Sequence, residues 1–188
     1  MSNFMFKNFT VEENQSSRSQ VKSSVARGIR TSILELYPRL EPVIDLIMPK
    51  KESVVIAKCK DSISILITEQ AGPCFFQHKG DDWFPTLKLL HQYPSMMPKM
   101  QVDKGGLKFV LNGANVMCPG LTSPGGAMEE VESGVPVQIV GEGKENAMAI
   151  GMTTMSTAEI KEKNKGFAIT NLHVMNDGLW RCKPNDWK

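Results

Sequence analysis

A chain of 188 residues with 41% hydrophobic and 22% charged content has material for one substantial core or two small ones, which excludes disorder throughout. Its formal net charge of +2 excludes an indiscriminate polyanion binder, so any contact with nucleic acid must come from local clustering of lysine and arginine. No run approaches the roughly eighteen consecutive apolar residues of a membrane span, and the start MSNFMFKNF is neither an apolar leader nor an arginine-rich transit peptide. Cys59, Cys74, Cys118 and Cys182 lie far apart, with no C-x-x-C pair and no histidine at zinc-finger spacing, and His78, His91 and His173 are equally scattered. These features predict a cytoplasmic protein in a reducing compartment, with no membrane role, no structural metal and no cofactor.

Along the chain, Val21, Val25, Ile29, Ile33 and Leu36 recur at spacings of four and three, predicting a helix over residues 16–37 that Pro38 closes. Arg27 falls opposite the apolar stripe, Arg30 on its flank and Lys22 near its edge, where a long stem can snorkel. A solvated helix face accounts for that charge run by itself. Residues 41–48 predict a second, shorter helix, with Pro42 tolerated at its start and Pro49 as its stop. The period then changes. Residues 54–59, 62–68 and 74–79 are β-rich runs separated by turn residues, as in an antiparallel meander.

A short helix is predicted over 85–93, and Pro94 and Pro98 then bracket a segment that cannot continue it. The domain boundary is placed there, dividing the chain into 1–95 and 96–188. The second domain is expected to run from a strand at 100–102 through a helical turn or two at 104–111, ended by Asn112-Gly113, to strands at 135–140, 147–153 and 167–173. Ser156-Thr157-Ala158-Glu159 is a capping box that opens a helix to about Lys163. The expected fold is α+β: N-terminal helices with a small antiparallel sheet, then a compact mixed barrel.

Gly141-Glu142-Gly143-Lys144 is not a phosphate loop, because the spacing of its glycines is wrong and Glu145 stands where Ser or Thr is needed; it reads as a hairpin turn. No nucleophile elbow, zinc-protease or dinucleotide motif is present. Glu129, Glu130 and Glu132 form an acidic cluster that a solvated loop explains. Residues 103–125, DKGGLKFVLNGANVMCPGLTSPG, are more informative. Lys104 and Lys108 stand four apart, so on a helix they would project from one side towards neighbouring phosphates. Gly113-Ala114 and Pro119-Gly120 keep side chains small on either side of Asn115 to Met117, where an RNA backbone could approach closely. Asn112 and Asn115 supply amides for base edges or 2′-hydroxyls. By residue type alone, a turn-rich barrel corner explains this stretch as well as an RNA surface does.

The order K-G-x-x-K-x-x-x-x-G-A-x-x-M-x-P-G, beginning at Lys104, resembles the signature of the PUA domain, a small RNA-binding pseudo-barrel. PTLKLLH at 85–91, the run 109–125, NDGLW at 176–180 and IMPKK at 47–51 are similar to the malignant-T-cell-amplified-sequence family of translation factors, over roughly residues 5–183. The resemblance implies a family-specific N-terminal domain followed by a PUA-type mixed β pseudo-barrel, in a non-enzymatic protein of the small ribosomal subunit. It implies a density-regulated-protein partner and roles in reinitiation and in release of deacylated tRNA during ribosome recycling. On this reading Lys104, Gly105, Lys108, Asn112, Gly113, Ala114, Asn115, Met117, Pro119 and Gly120 face RNA, towards the acceptor end of a tRNA. Lys22, Arg27, Arg30, Lys50 and Lys51 would serve docking on ribosomal RNA and the partner. The extension before Met5, the acids at 129, 130 and 132 and the tail at 184–187 depart from the family pattern. The competing readings are a PUA-containing RNA-modifying enzyme or its accessory subunit, and a protein-interaction adaptor using the 21–36 helix and the Phe75-Phe76 strand.

Overall fold

The structure, a computed structural model, describes residues 5–187; the extension before Met5 lies outside them. The described residues form two compact units, one of residues 9–96 with 181–187 and the other of 5–8 with 97–180.

In the first unit, Thr10 caps a single turn, α1 (Val11–Asn14), by accepting the Glu13 N–H. The chain then enters β1 (Gln15–Gln20), and helix α2 (Ser23–Leu36) follows. The single helix expected over 16–37 is therefore split. QSSRSQ carries no apolar alternation, yet it pairs antiparallel with β2 (Val55–Cys59), Arg18 opposite Ala57, so tertiary pairing overrides local pattern. On α2 only Ile33 is fully buried, and Val25 is 47% exposed. A short α3 (Ile44–Ile47) replaces the longer helix expected over 41–48. The meander is present: β2, β3 (Ile63–Thr68) and β4 (Gly72–His78) pair antiparallel, and β5 (Phe84–Pro85) completes a sheet in the order β1-β2-β3-β4-β5. Thr86 caps α4 (Leu87–Gln92). Phe9 stacks on Trp187 at 6.1 Å between ring centroids, and the carbonyls of Cys182 and Trp187 accept from Lys88 and Arg18, so the C-terminal residues close this core.

The second unit begins with β6 (Lys99–Val102), α5 (Leu107–Leu111), β7 (Val116–Met117), α6 (Cys118–Thr122) and β8 (Ala127–Met128). It continues with β9 (Pro136–Gly141), β10 (Ala149–Thr153), α7 (Thr157–Lys163), β11 (Phe167–Val174) and α8 (Gly178–Arg181). The six strands run in the order β7-β11-β10-β9-β6-β8, a curled half-barrel in which β6 and β9 are the parallel neighbours. Met100, Val102, Val137, Ile139, Ala149 and Ile169, all 0% exposed, fill its interior with Val110 and Leu121 from the small helices. Gly151 lets β10 lie close to β11: a Cβ there would collide with the Ile169 side chain and the Thr170 carbonyl. Phe6 meets His173 edge-on at 5.6 Å, and its carbonyl accepts the Gly178 N–H at 2.8 Å.

The capping box is formed, with Ser156 accepting the Glu159 N–H and Glu159 accepting the Ser156 N–H at 3.0 Å. The Ser156 backbone N–H holds the Glu159 carboxyl below its ordinary range, and Lys163, 3.0 Å away, adds to the effect. Because the folded-state value is depressed, this stability is present at neutral pH and lost as pH falls through that value. Ser156→Ala should cost about 1 kcal/mol in urea unfolding at neutral pH, and Glu159→Gln should flatten the acid limb of the stability profile.

Candidate nucleic-acid interface

Beyond Val102 the backbone turns sharply, because Asp103 Oδ1 accepts the Gly106 N–H at 2.8 Å while the Asp103 N–H donates to the Gly120 carbonyl at 3.0 Å. Helix α5 starts only at Leu107, so Lys104 lies in the turn and not on a shared helix face with Lys108. Lys104 Nζ is 3.9 Å from Glu142 Oε1, and the Lys104 N–H donates to Glu142 Oε2 at 3.1 Å. Lys108 Nζ lies 5.0 Å from the centroid of the exposed Phe109 ring, a cation–π contact. Gly113, at φ +83°, ends α5 as the C-terminal glycine. Its N–H donates to the Val110 carbonyl at 2.9 Å, and that of Ala114 to Phe109 at 3.0 Å.

This loop is held from β11. The buried Asn171 donates through Nδ2 to the Val110 and Ala114 carbonyls, both at 3.1 Å, and its backbone N–H donates to Asn115 Oδ1 at 3.0 Å. Asn115 therefore spends its carbonyl inside the protein. In the adjoining strand pair Met117 stands opposite Phe167, and the Cys118 N–H donates to the Gly166 carbonyl at 3.0 Å as α6 begins.

Together these segments line an open cavity of about 960 Å³, at the upper end of the range for small-ligand sites. Of the residues expected to face RNA, Gly105, Ala114, Asn115, Met117, Pro119 and Gly120 line it. Lys104, Lys108, Asn112 and Gly113 do not: the two lysines and Asn112 are exposed beside it, and Gly113 is buried. The pattern of residue types left out the two aromatic walls, Phe109 and Phe167, which are 56% and 57% exposed. Their signal was weak, since a phenylalanine between Lys108 and Val110 reads as core until the helix is oriented. The cavity thus joins flat apolar surfaces and close backbone approach to nearby cations, a combination suited to stacking unpaired bases near their phosphates.

In the first unit, Arg27, Arg30, Lys50 and Lys51 line a concavity of about 220 Å³, while Lys22 precedes α2 outside it. Arg30 is bound inward, to Asp45 at 2.8 Å and to the Met48 carbonyl at 2.5 Å. Glu129 is occupied by the Lys99 N–H at 3.0 Å, and no group of three metal-ligating side chains is found among the described residues. His173 is structural, its Nδ1 2.6 Å from Asp177 Oδ2. All four cysteines are buried, and burial pushes the Cys59 thiol up to about 11 and that of Cys74 to about 12. Among the described residues no helix is long and apolar enough to cross a membrane.

Residues 9–94 match the family model described as a Pre-PUA-like domain, and residues 97–178 match the one described as "elF2D, PUA domain". The half-barrel and its cavity thus define a PUA-domain protein with a Pre-PUA module before it. The chain is 53% identical over 180 residues to the malignant T-cell-amplified sequence 1 homolog of Drosophila melanogaster, covering 96% of this chain and 99% of that one. It is 46% identical to translation machinery-associated protein 20 of Saccharomyces cerevisiae, over 94% and 97% of the two chains. A hypothetical protein from Pyrococcus horikoshii OT3 shares the architecture with a TM-score of 0.71 at 26% identity, over 87% and 98% of the chains. The chain belongs to the malignant T-cell-amplified sequence family.

Asn171 is the linchpin of this geometry. Asn171→Ala should lower stability by about 1–3 kcal/mol, because it leaves two carbonyls without their side-chain donor. In hydrogen–deuterium exchange the faster amides should cluster at residues 109–117.

Proposed function

We propose that this protein is a non-catalytic, RNA-binding translation factor of the cytoplasm, acting on the small ribosomal subunit with a density-regulated-protein-like partner. The observation that carries the reading is the cavity of the second unit, where Phe109, Met117 and Phe167 present exposed apolar surface beside Lys104 and Lys108. Stacking on such surfaces tolerates any base, and lysines beside them add salt-sensitive affinity for the backbone. The name of the yeast relative associates that protein with the translation machinery, and we extend the association to this chain. On this reading the cavity receives the acceptor end of a tRNA, and the protein supports reinitiation and release of deacylated tRNA after termination. Arg27, Lys50 and Lys51 then contact ribosomal RNA or the partner, Lys22 extends that surface, and Arg30 shapes it through its bonds to Asp45 and Met48.

Titration of a labelled single-stranded RNA at several salt concentrations tests the cavity. Lys104→Ala with Lys108→Ala should weaken binding and reduce the salt slope by about one to two units. Phe109→Ala should cost about 1–3 kcal/mol with the slope unchanged. Unaltered affinity in both folded variants would remove the RNA assignment, and a new mass on tRNA after incubation would favour a modifying enzyme. Replacing Arg27, Lys50 and Lys51 together by alanine should reduce co-sedimentation with small subunits while leaving oligonucleotide binding intact.

A further inference from the structure

Glu142 follows β9, where its backbone N–H donates to the Val102 carbonyl at 2.8 Å and so fixes it beside the end of β6. Its carboxylate faces two loops. On one side Oε2 accepts the Lys104 N–H at 3.1 Å and Oε1 stands 3.9 Å from Lys104 Nζ. On the other it fills the space over Gly125, whose φ is +94° and where any Cβ would collide with the carboxylate. Gln101 Nε2 secures the same loop by donating to the Gly125 carbonyl at 2.8 Å. These two loops supply Asp103, Gly105 and Ser123 to the cavity. The carboxylate is therefore held by the Lys104 N–H and packed against Gly125, whereas the Lys104 side chain is 78% exposed. A phosphate approaching Lys104 meets an acid already beside it.

We propose that Glu142 is a positioning residue of the RNA site, which ties the 103–106 turn to the 123–126 loop and serves as the counter-ion that RNA phosphate must displace from Lys104. The proposal rests on the RNA-binding reading above. It separates two contributions of one side chain: the acceptor for the Lys104 N–H is structural, while the negative charge opposes phosphate. Glutamine keeps the first and removes the second.

The test uses the full chain and a fluorescein-labelled single-stranded RNA, with affinity read by anisotropy across a salt series. Glu142→Gln should bind about two- to fivefold tighter, the scale of an exposed ion pair, with the salt slope steeper by up to about 0.7 unit. That gain should vanish when Lys104→Ala is also present, as a double-mutant cycle requires of a coupled pair. Lys104→Ala alone should cost less affinity than Lys108→Ala, because Lys104 is already countered; this arm depends on no Glu142 variant folding. Unchanged or weaker binding by a folded Glu142→Gln, a gain that survives Lys104→Ala, or equal losses for the two lysines would each overturn the proposal. If the double-lysine variant weakens binding while Glu142→Gln is neutral, only this inference falls. If neither the lysines nor Phe109 matter, the RNA reading falls with it.

Discussion

Asn171 sits within the longest strand of its unit and turns its amide away from the ladder, towards a loop more than fifty residues earlier in the chain. Its two donated bonds hold the Val110 carbonyl, in the last turn of the helix, and the Ala114 carbonyl, in the loop that follows, and its own N–H is taken by Asn115. A five-residue helix has little stability of its own. Its place, and with it the place of Phe109, is set from the sheet. Remove that anchor and the cavity loses a wall, although the hydrophobic interior around Ile139 and Ile169 is intact.

The second organising contrast is between buried and displayed apolar groups. Val110 and Phe109 are neighbours on one short helix, and one is 2% exposed while the other is 56% exposed. Phe167 opens a strand whose next two residues are fully buried. Isolated exposed hydrophobes need no explanation, but two phenylalanines and Met117 around one cavity form a patch. The cations beside it are few, which agrees with a net charge of only +2. On the proposed reading, such a surface would draw much of its affinity from stacking and its salt response from charge.

Much of the architecture was legible from residue order. The alternation in ISILIT and the turns around it announced the meander, and the Ser156 box announced α7. The all-polar QSSRSQ strand was illegible, because its pairing with β2 depends on a partner thirty-five residues or more away. The Lys104 and Lys108 spacing suggested a shared face, but Asp103 captures the Gly106 N–H and delays the helix. Of the small residues singled out from the sequence, Gly105, Ala114, Pro119 and Gly120 line the cavity, whereas Gly113 is buried behind it. Its aromatic walls were not marked, since exposure is a property of packing. Glu142 read only as part of a hairpin turn, for the loops it joins are remote from it in sequence.

The two ends of the chain each finish the unit that the other end begins. Phe6 covers His173 in the second unit, and Trp187 covers Phe9 in the first. A cut between residues 96 and 97 would not yield two independent cassettes: the front piece would keep Phe9 without its stacking partner, and the back piece would keep His173 without Phe6. Each fragment would expose an apolar socket fitted to an aromatic ring that the other fragment carries. Recombination that moved either half alone into a new protein would have to supply a replacement ring.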